Sequence, residues 1–203
     1  MKKLIFLFCW IIFSALTCGA ADNASVMLKD AAAKLRSAKS VTAVCRISAG
    51  GSASNASLTM SSNRFVIKSP EMEVWFDGKN QWAYSPRTGE VNLTEPTREE
   101  LGQVNPLSVI DYFSSDYTAS MLPATKGNKN IRLTAKSVKS DISTADISLN
   151  ATTLAPVQVN LRLKSGETVS IAITSLKYGA ALPANVFTYH RNLHPDAEII
   201  DLR

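Results

Sequence analysis

The chain has little with which to make or break bonds. Its 203 residues include two histidines and three cysteines. Cys9 and Cys18 belong to an apolar leader, which leaves Cys45 alone in the body of the protein. A single cysteine makes no internal disulfide, and paired zinc-type cysteines are absent. His190 and His194 are four apart, but Pro195 follows and "FTYH" reads as strand running into loop. They read as ordinary solvated histidines, and no metal is expected. There is no G-x-S-x-G, no Walker loop and no H-E-x-x-H. Glu71 and Glu73 share a strand face with no histidine or cysteine beside them, as a solvated face would. No cofactor is expected and no enzyme. Charge is scarce too, with 22 basic residues, 17 acidic ones and no cluster of either. That excludes a nucleic-acid footprint.

Long apolar runs are equally few. Met1-Lys2-Lys3 is followed by an apolar stretch from Leu4 to Leu16 and then by small residues, Thr17 to Ala21. The order of basic, apolar and small regions is that of a secretory signal peptide. Thirteen positions fall short of the ~20 a spanning helix needs. Residues 1–21 are therefore expected to leave by cleavage after Ala20 or Ala21. Residues 22–203 then form one exported domain with a net charge of about +3. Cys18 offers a second outcome, an acylated cysteine that tethers the chain by its N-terminus.

What is present is pattern. Asp22 to Ser25 supplies helix caps, and Val26 to Lys39 repeats Leu28, Ala32 and Leu35 at helical spacing. From Val41 the period becomes two. "VTAVCRIS", "ASLTMSS", "RFVIKS", "EMEVWF", "QWAYS" and "EVNLT" read as strands. Gly50-Gly51, Asp77-Gly78 and Pro86 to Gly89 turn the chain between them. Thr97 to Gly102, and Pro106 through Leu107, Ile110 and Phe113, read as two short helices. "IRLTAKS", "TADISLN", "PVQVNLRLK", "TVSIAITSLKYG" and "NVFTYH" resume the alternation, and "AEIIDLR" supplies a last short strand. The fold class is mainly β with a few helices. One curved antiparallel sheet forms an incomplete barrel with a helical lid, since ten or more strands in one domain curl.

The apolar side chains of these one-sided strands are Leu58, Met60, Phe65, Ile67, Met72, Val74, Trp82, Tyr84, Val91, Leu93, Leu161 and Ile171. Full burial is worth roughly 1.5–3 kcal/mol each. A packed core accounts for them. So does a cavity kept open for an apolar ligand, which their bulk favours.

The order of parts resembles the periplasmic outer-membrane lipoprotein carrier family (LolA-type) over residues 24 to 191. The most distinctive match is D-G-x-x-x-W-x-Y-x-P, here Asp77, Gly78, Trp82, Tyr84 and Pro86. "NPLSVI" is similar to the family's Pro-Leu helix. The resemblance implies an incomplete barrel in which Leu107, Ile110 and Phe113 of the lid close over the strand residues named above. Acyl chains of lipoproteins, or of lipids, would sit between. It implies a monomeric periplasmic carrier without catalysis. Its partners would be an inner-membrane lipoprotein-releasing ABC transporter and an outer-membrane acceptor. Relatives of this fold also serve as membrane-tethered acceptors or envelope-stress sensors, and a lipidated Cys18 would suit those. Where the family carries an Arg-Pro latch for the lid, this chain has Ser61-Ser62, with Arg64 beyond.

Intact mass of the protein isolated from its envelope separates the two N-termini. An unmodified chain beginning at Ala21 or Asp22 is expected. A diacylglyceryl group on Cys18 would show the tethered form.

Overall fold

The computed structural model describes residues 18–97, 116–138 and 140–203. One helix, α1 (Cys18–Ser37), precedes twelve strands. Six follow it by hairpins: β1 (Ser40–Ala49), β2 (Ser52–Ser61), β3 (Arg64–Lys68), β4 (Glu73–Phe76), β5 (Gln81–Ser85) and β6 (Glu90–Thr94). A second meander comprises β7 (Tyr117–Thr125), β8 (Asn128–Ala135), β9 (Ile142–Asn150), β10 (Pro156–Leu163) and β11 (Thr168–Gly179). Two 3₁₀ turns, Ala184–Phe187 and Arg191–Leu193, lead to β12 (Glu198–Asp201).

All twelve strands form one sheet in the order β12-β6-β5-β4-β3-β2-β1-β11-β10-β9-β8-β7. The edges β12 and β7 do not pair, so the barrel is incomplete. The two meanders join along β1 and β11, from Ser40 opposite Gly179 to Ala49 opposite Val169. A bulge interrupts this seam between Val44 and Cys45. There the Thr174 hydroxyl donates to the Val44 carbonyl at 3.0 Å. An extra residue on one strand bends it and sharpens the local twist.

The turns form where expected. At the β4–β5 hairpin, Gly78 has φ +105°, and a Cβ there would meet the Asn63 side chain at 3.1 Å. The Asp77 carboxylate accepts the Lys79 and Asn80 amides at 2.8 Å each, an Asx turn that fixes the reversal.

The sheet buries residues on both sides. Its inner face packs on α1. Ala24 and Ala31 of the helix meet Tyr117, Ala119, Ile131, Leu133, Ala145 and Leu149. The other end of the helix, at Leu35, and Ala38 just beyond it reach Val41, Met60, Phe65, Val74 and Phe76. The outer face of β3–β6 is covered by the C-terminal segment, through Phe187, Tyr189 and Ala197 on Val66, Trp75 and Val91.

Several elements depart from the sequence expectation. The helix begins at Cys18 rather than Val26, so it runs back into the expected leader. Strand β7 was not anticipated. It holds Pro123 and its register slips between Leu122 and Thr125, features an edge strand tolerates because half its donors are unpaired. "NVFTYH" is no strand. It starts as a 3₁₀ turn, and both Phe187 and Tyr189 point onto the sheet. Strand β12 pairs parallel with β6, because the chain arrives over the outer face instead of through a hairpin. The expected lid helices, with Leu107, Ile110 and Phe113, lie outside the described residues. No helix among the described residues is long and apolar enough to cross a membrane.

Phe65 is fully buried, with its ring 5.3 Å from that of Phe76. Phe65→Ala should cost about 3–5 kcal/mol. Arg132 and Asp146 make a 2.6 Å ion pair on the exposed outer surface, and Arg132→Ala should cost at most ~1 kcal/mol. Urea denaturation of the two variants measures both, and similar losses would contradict this division of core from surface.

Candidate functional site

Alternation along each strand sends successive side chains to opposite faces, and register then decides which of them meet. At the centre of the sheet, Ile147 faces Val159, Val159 faces Ile171, and Ile171 faces Ile47. Four β-branched side chains on β9, β10, β11 and β1 thus form one row across the inner face. At a strand spacing of ~4.8 Å the row spans roughly 14 Å. Leu161 and Val169 extend the strip to one side, Ile173 and Cys45 to the other. All of these side chains are half-buried, in contrast to the sealed clusters beneath α1.

Cys45 sits in this strip as a free thiol. Burial raises its pKa, which keeps it protonated and a poor nucleophile. The strip carries no charged group in its central row. Such a surface can bind apolar matter.

The structure sorts the expected site residues into two sets. Leu58, Met60, Phe65, Ile67, Val74, Leu161 and Ile171 share the inner face. Within that set, Met60, Phe65 and Val74 are buried against the C-terminal end of α1, while Leu58, Ile67, Leu161 and Ile171 are half-buried. Trp82, Tyr84, Val91 and Leu93 lie on the outer face, because Trp82 pairs with Trp75 and Leu93 while its neighbour Ala83 pairs with Val74. Met72 lies in the β3–β4 loop and is exposed. Ile110 lies outside the described residues. Ile47, Ile147 and Ile173 were not picked out by sequence reasoning, although the alternation of "VTAVCRIS", "TADISLN" and "TVSIAITSLKYG" contains them. Bulk drew attention to the tryptophans instead.

The outer aromatic cluster holds down the C-terminal segment. The His194 ring stacks on Tyr84 at 3.7 Å between centroids, and Trp75 meets Tyr189 edge-on at 5.3 Å. The Tyr189 hydroxyl donates to the His194 carbonyl at 3.2 Å, and burial first of all raises its pKa. Glu73 Oε2 lies 2.9 Å from Lys68 Nζ, and Glu73 Oε1 lies 3.5 Å from His194 Nε2. So Glu73 and His194, expected on a solvated surface, are half-buried packing residues. His190 is exposed, with Nε2 3.0 Å from the Asn185 carbonyl oxygen. Among the described residues, no group of three histidine, cysteine or carboxylate side chains could hold a metal ion.

The Ser61-Ser62 site has its own solution. The buried Ser61 hydroxyl donates to the Lys39 carbonyl at 2.7 Å, and Ser62 takes a left-handed turn with φ +57°. Arg64, on the opposite face from Phe65, lays its guanidinium over the Phe187 ring at 4.9 Å. Its charge is committed to the outer face.

This geometry can be set beside known proteins. No curated protein matches the sequence significantly. Among solved structures, an uncharacterized conserved protein from Thermus thermophilus superposes with a TM-score of 0.60 at 8% identity, covering 87% of this chain and 98% of that one. A DUF1329 family protein from Desulfovibrio piger gives 0.50 at 12% identity, with 84% and 98% covered. A putative outer membrane lipoprotein-sorting protein domain from Vibrio parahaemolyticus gives 0.48 at 10% identity, with 85% and 98% covered. At such identities the first two show a shared fold. The sequence itself matches the family described as outer membrane lipoprotein carrier protein LolA, over residues 14–166. With three quarters of its length inside that match, the chain belongs to the LolA family of outer membrane lipoprotein carrier proteins.

Proposed function

We propose that this chain is a non-catalytic periplasmic carrier. It would hold the acyl chains of lipoproteins, or of lipids, against the inner-face strip and release them at the outer membrane. The observation that carries the reading is the row Ile147–Val159–Ile171–Ile47, a continuous apolar surface left half-open in the middle of the sheet. Such side chains in a plain structural core are normally sealed, as Ile131 and Leu133 are here.

Shielding an acyl chain is worth ~0.8 kcal/mol per buried methylene. A shallow strip covers part of each chain, and hand-over requires a complex that can come apart. Delivery would run from an inner-membrane ABC transporter to an outer-membrane acceptor. Of the residues first considered for the cavity, Leu58, Ile67, Leu161 and Ile171 fit this role. Trp82, Tyr84, Val91 and Leu93 instead seat the C-terminal segment from the other side of the sheet.

Native mass spectrometry of the protein purified without detergent should show acylated cargo. Cys45 supplies a position-specific readout, since its thiol lies in the strip. A bound palmitoylated peptide should slow its alkylation by iodoacetamide severalfold. Ile171→Glu should retain the far-ultraviolet spectrum and lose at least about tenfold in affinity for that peptide, as a charge on the contact surface must be desolvated. Retained affinity in this variant, with unprotected Cys45, would remove the inner face from consideration.

A further inference from the structure

The outer face bears a groove that acyl binding does not use. Two recesses meet there. The larger, about 330 Å³, lies between the C-terminal segment and the outer side of β2–β4, with Val66 and Trp75 as floor and Val186 and Leu193 as rim. The smaller, about 260 Å³, lies between Val44 on β1 and Pro70 in the β3–β4 loop. Both are lined by Ser57 and Lys68, which face each other across β2 and β3.

Among the described residues no carboxylate lines either recess, whereas Lys68 lies at their junction. Its side chain is 46% exposed. Its ammonium group lies 2.9 Å from Glu73 Oε2 and 5.2 Å from the centre of the Trp75 ring, and three N–H donors leave room for another anion. The rim is apolar and uncovered: Val44 and Val186 are each 38% exposed and Leu193 is 44% exposed. Folding has left these groups in water on either side of one cation.

We propose that this groove docks an extended segment of a partner protein that carries an acidic side chain between two apolar ones. On β2, the smaller recess reaches Asn55 and the larger reaches Thr59, two residues to either side of Ser57. At ~3.3 Å per residue, the far ends of the joined recesses lie roughly 13 Å apart along the strand. An extended chain matches this with apolar side chains at positions i and i+4 and the acid at i+2, all on one side. The β2 and β3 backbones are already paired, so recognition runs through side chains and not through strand addition. The site lies on the opposite face from the acyl strip and does not depend on it.

The probe is a fluorescein-labelled peptide, Gly-Leu-Ser-Glu-Ser-Leu-Gly, compared by anisotropy with its Gln counterpart. The acidic peptide should bind saturably, and the neutral one at least about fivefold more weakly, as a partly exposed charge contact allows. Lys68→Met should erase the preference for the acid and Lys68→Arg should keep it. Val186→Asp should weaken both peptides. Circular dichroism identifies the folded variants, and Lys68→Arg keeps the ion pair to Glu73. Saturating hexadecanoate should leave peptide binding unchanged. The proposal is overturned if neither peptide binds at up to about 1 mM, or if both bind alike. It also fails if Lys68→Met keeps the preference. Displacement by hexadecanoate would place the peptide in the acyl strip and overturn the groove, without touching the carrier reading.

Discussion

The pairing of β1 with β11 is the constraint on which the rest of the molecule depends. Two meanders, each built from local hairpins, have no continuous sheet until this long-range ladder closes between Ser40–Ala49 and Val169–Gly179. The ladder sets the register of the four-residue apolar row, in which Ile47 comes from the first meander and the other three residues from the second. It also positions α1, since the helix packs against β7–β9 at one end and β1–β4 at the other. A slip of one residue here would turn Ile47 and Cys45 outward and polar residues such as Arg46 inward. Bringing together residues more than a hundred positions apart costs loop entropy that the local hairpins do not repay by themselves.

The two halves of the sheet carry unequal loads. Strands β3 and β4 are sandwiched, with α1 on one side and the C-terminal segment on the other, so Phe65 and Val66 are both buried, as are Val74, Trp75 and Phe76. Strands β8–β11 have no such double cover among the described residues: α1 seals the inner side of β8 and β9. Their outer face carries Arg132 paired with Asp146, and a run of hydrogen-bonded Asn, Gln and Ser side chains around Asn160 and Ser170. The double burial explains where the large aromatics belong. Trp75, Tyr84 and Tyr189 close a small second core around His194, which ties the chain's end to the sheet. The inner strip lies in the centre, between the parts of the sheet that α1 seals.

Much of the fold was legible in the sequence. Period-two runs bounded by Gly50-Gly51, Asp77-Gly78 and Pro86 to Gly89 located most strands, because turn chemistry and alternation are local properties. The unbroken stretch "EMEVWF" was harder. Alternation separates Val74 from Trp75, but the glutamates on Trp75's side read as a wet face, so its burial under the C-terminal segment was not legible. β7 escaped notice because an edge strand can carry small residues and Pro123 without losing its one ladder.

What the sequence determined by itself was the kind of molecule: a mostly β chain whose helix leads the sheet, with turns in place. Those features depend on residue type and spacing over a few positions. Tertiary structure decided the site. It put Ile47, Ile147, Val159 and Ile171 in one row, and it sent Trp82 and Tyr84 to the other face. Cross-strand register and the path of the C-terminal segment made that choice. Both are set by contacts between residues distant in the chain, which a local pattern does not contain.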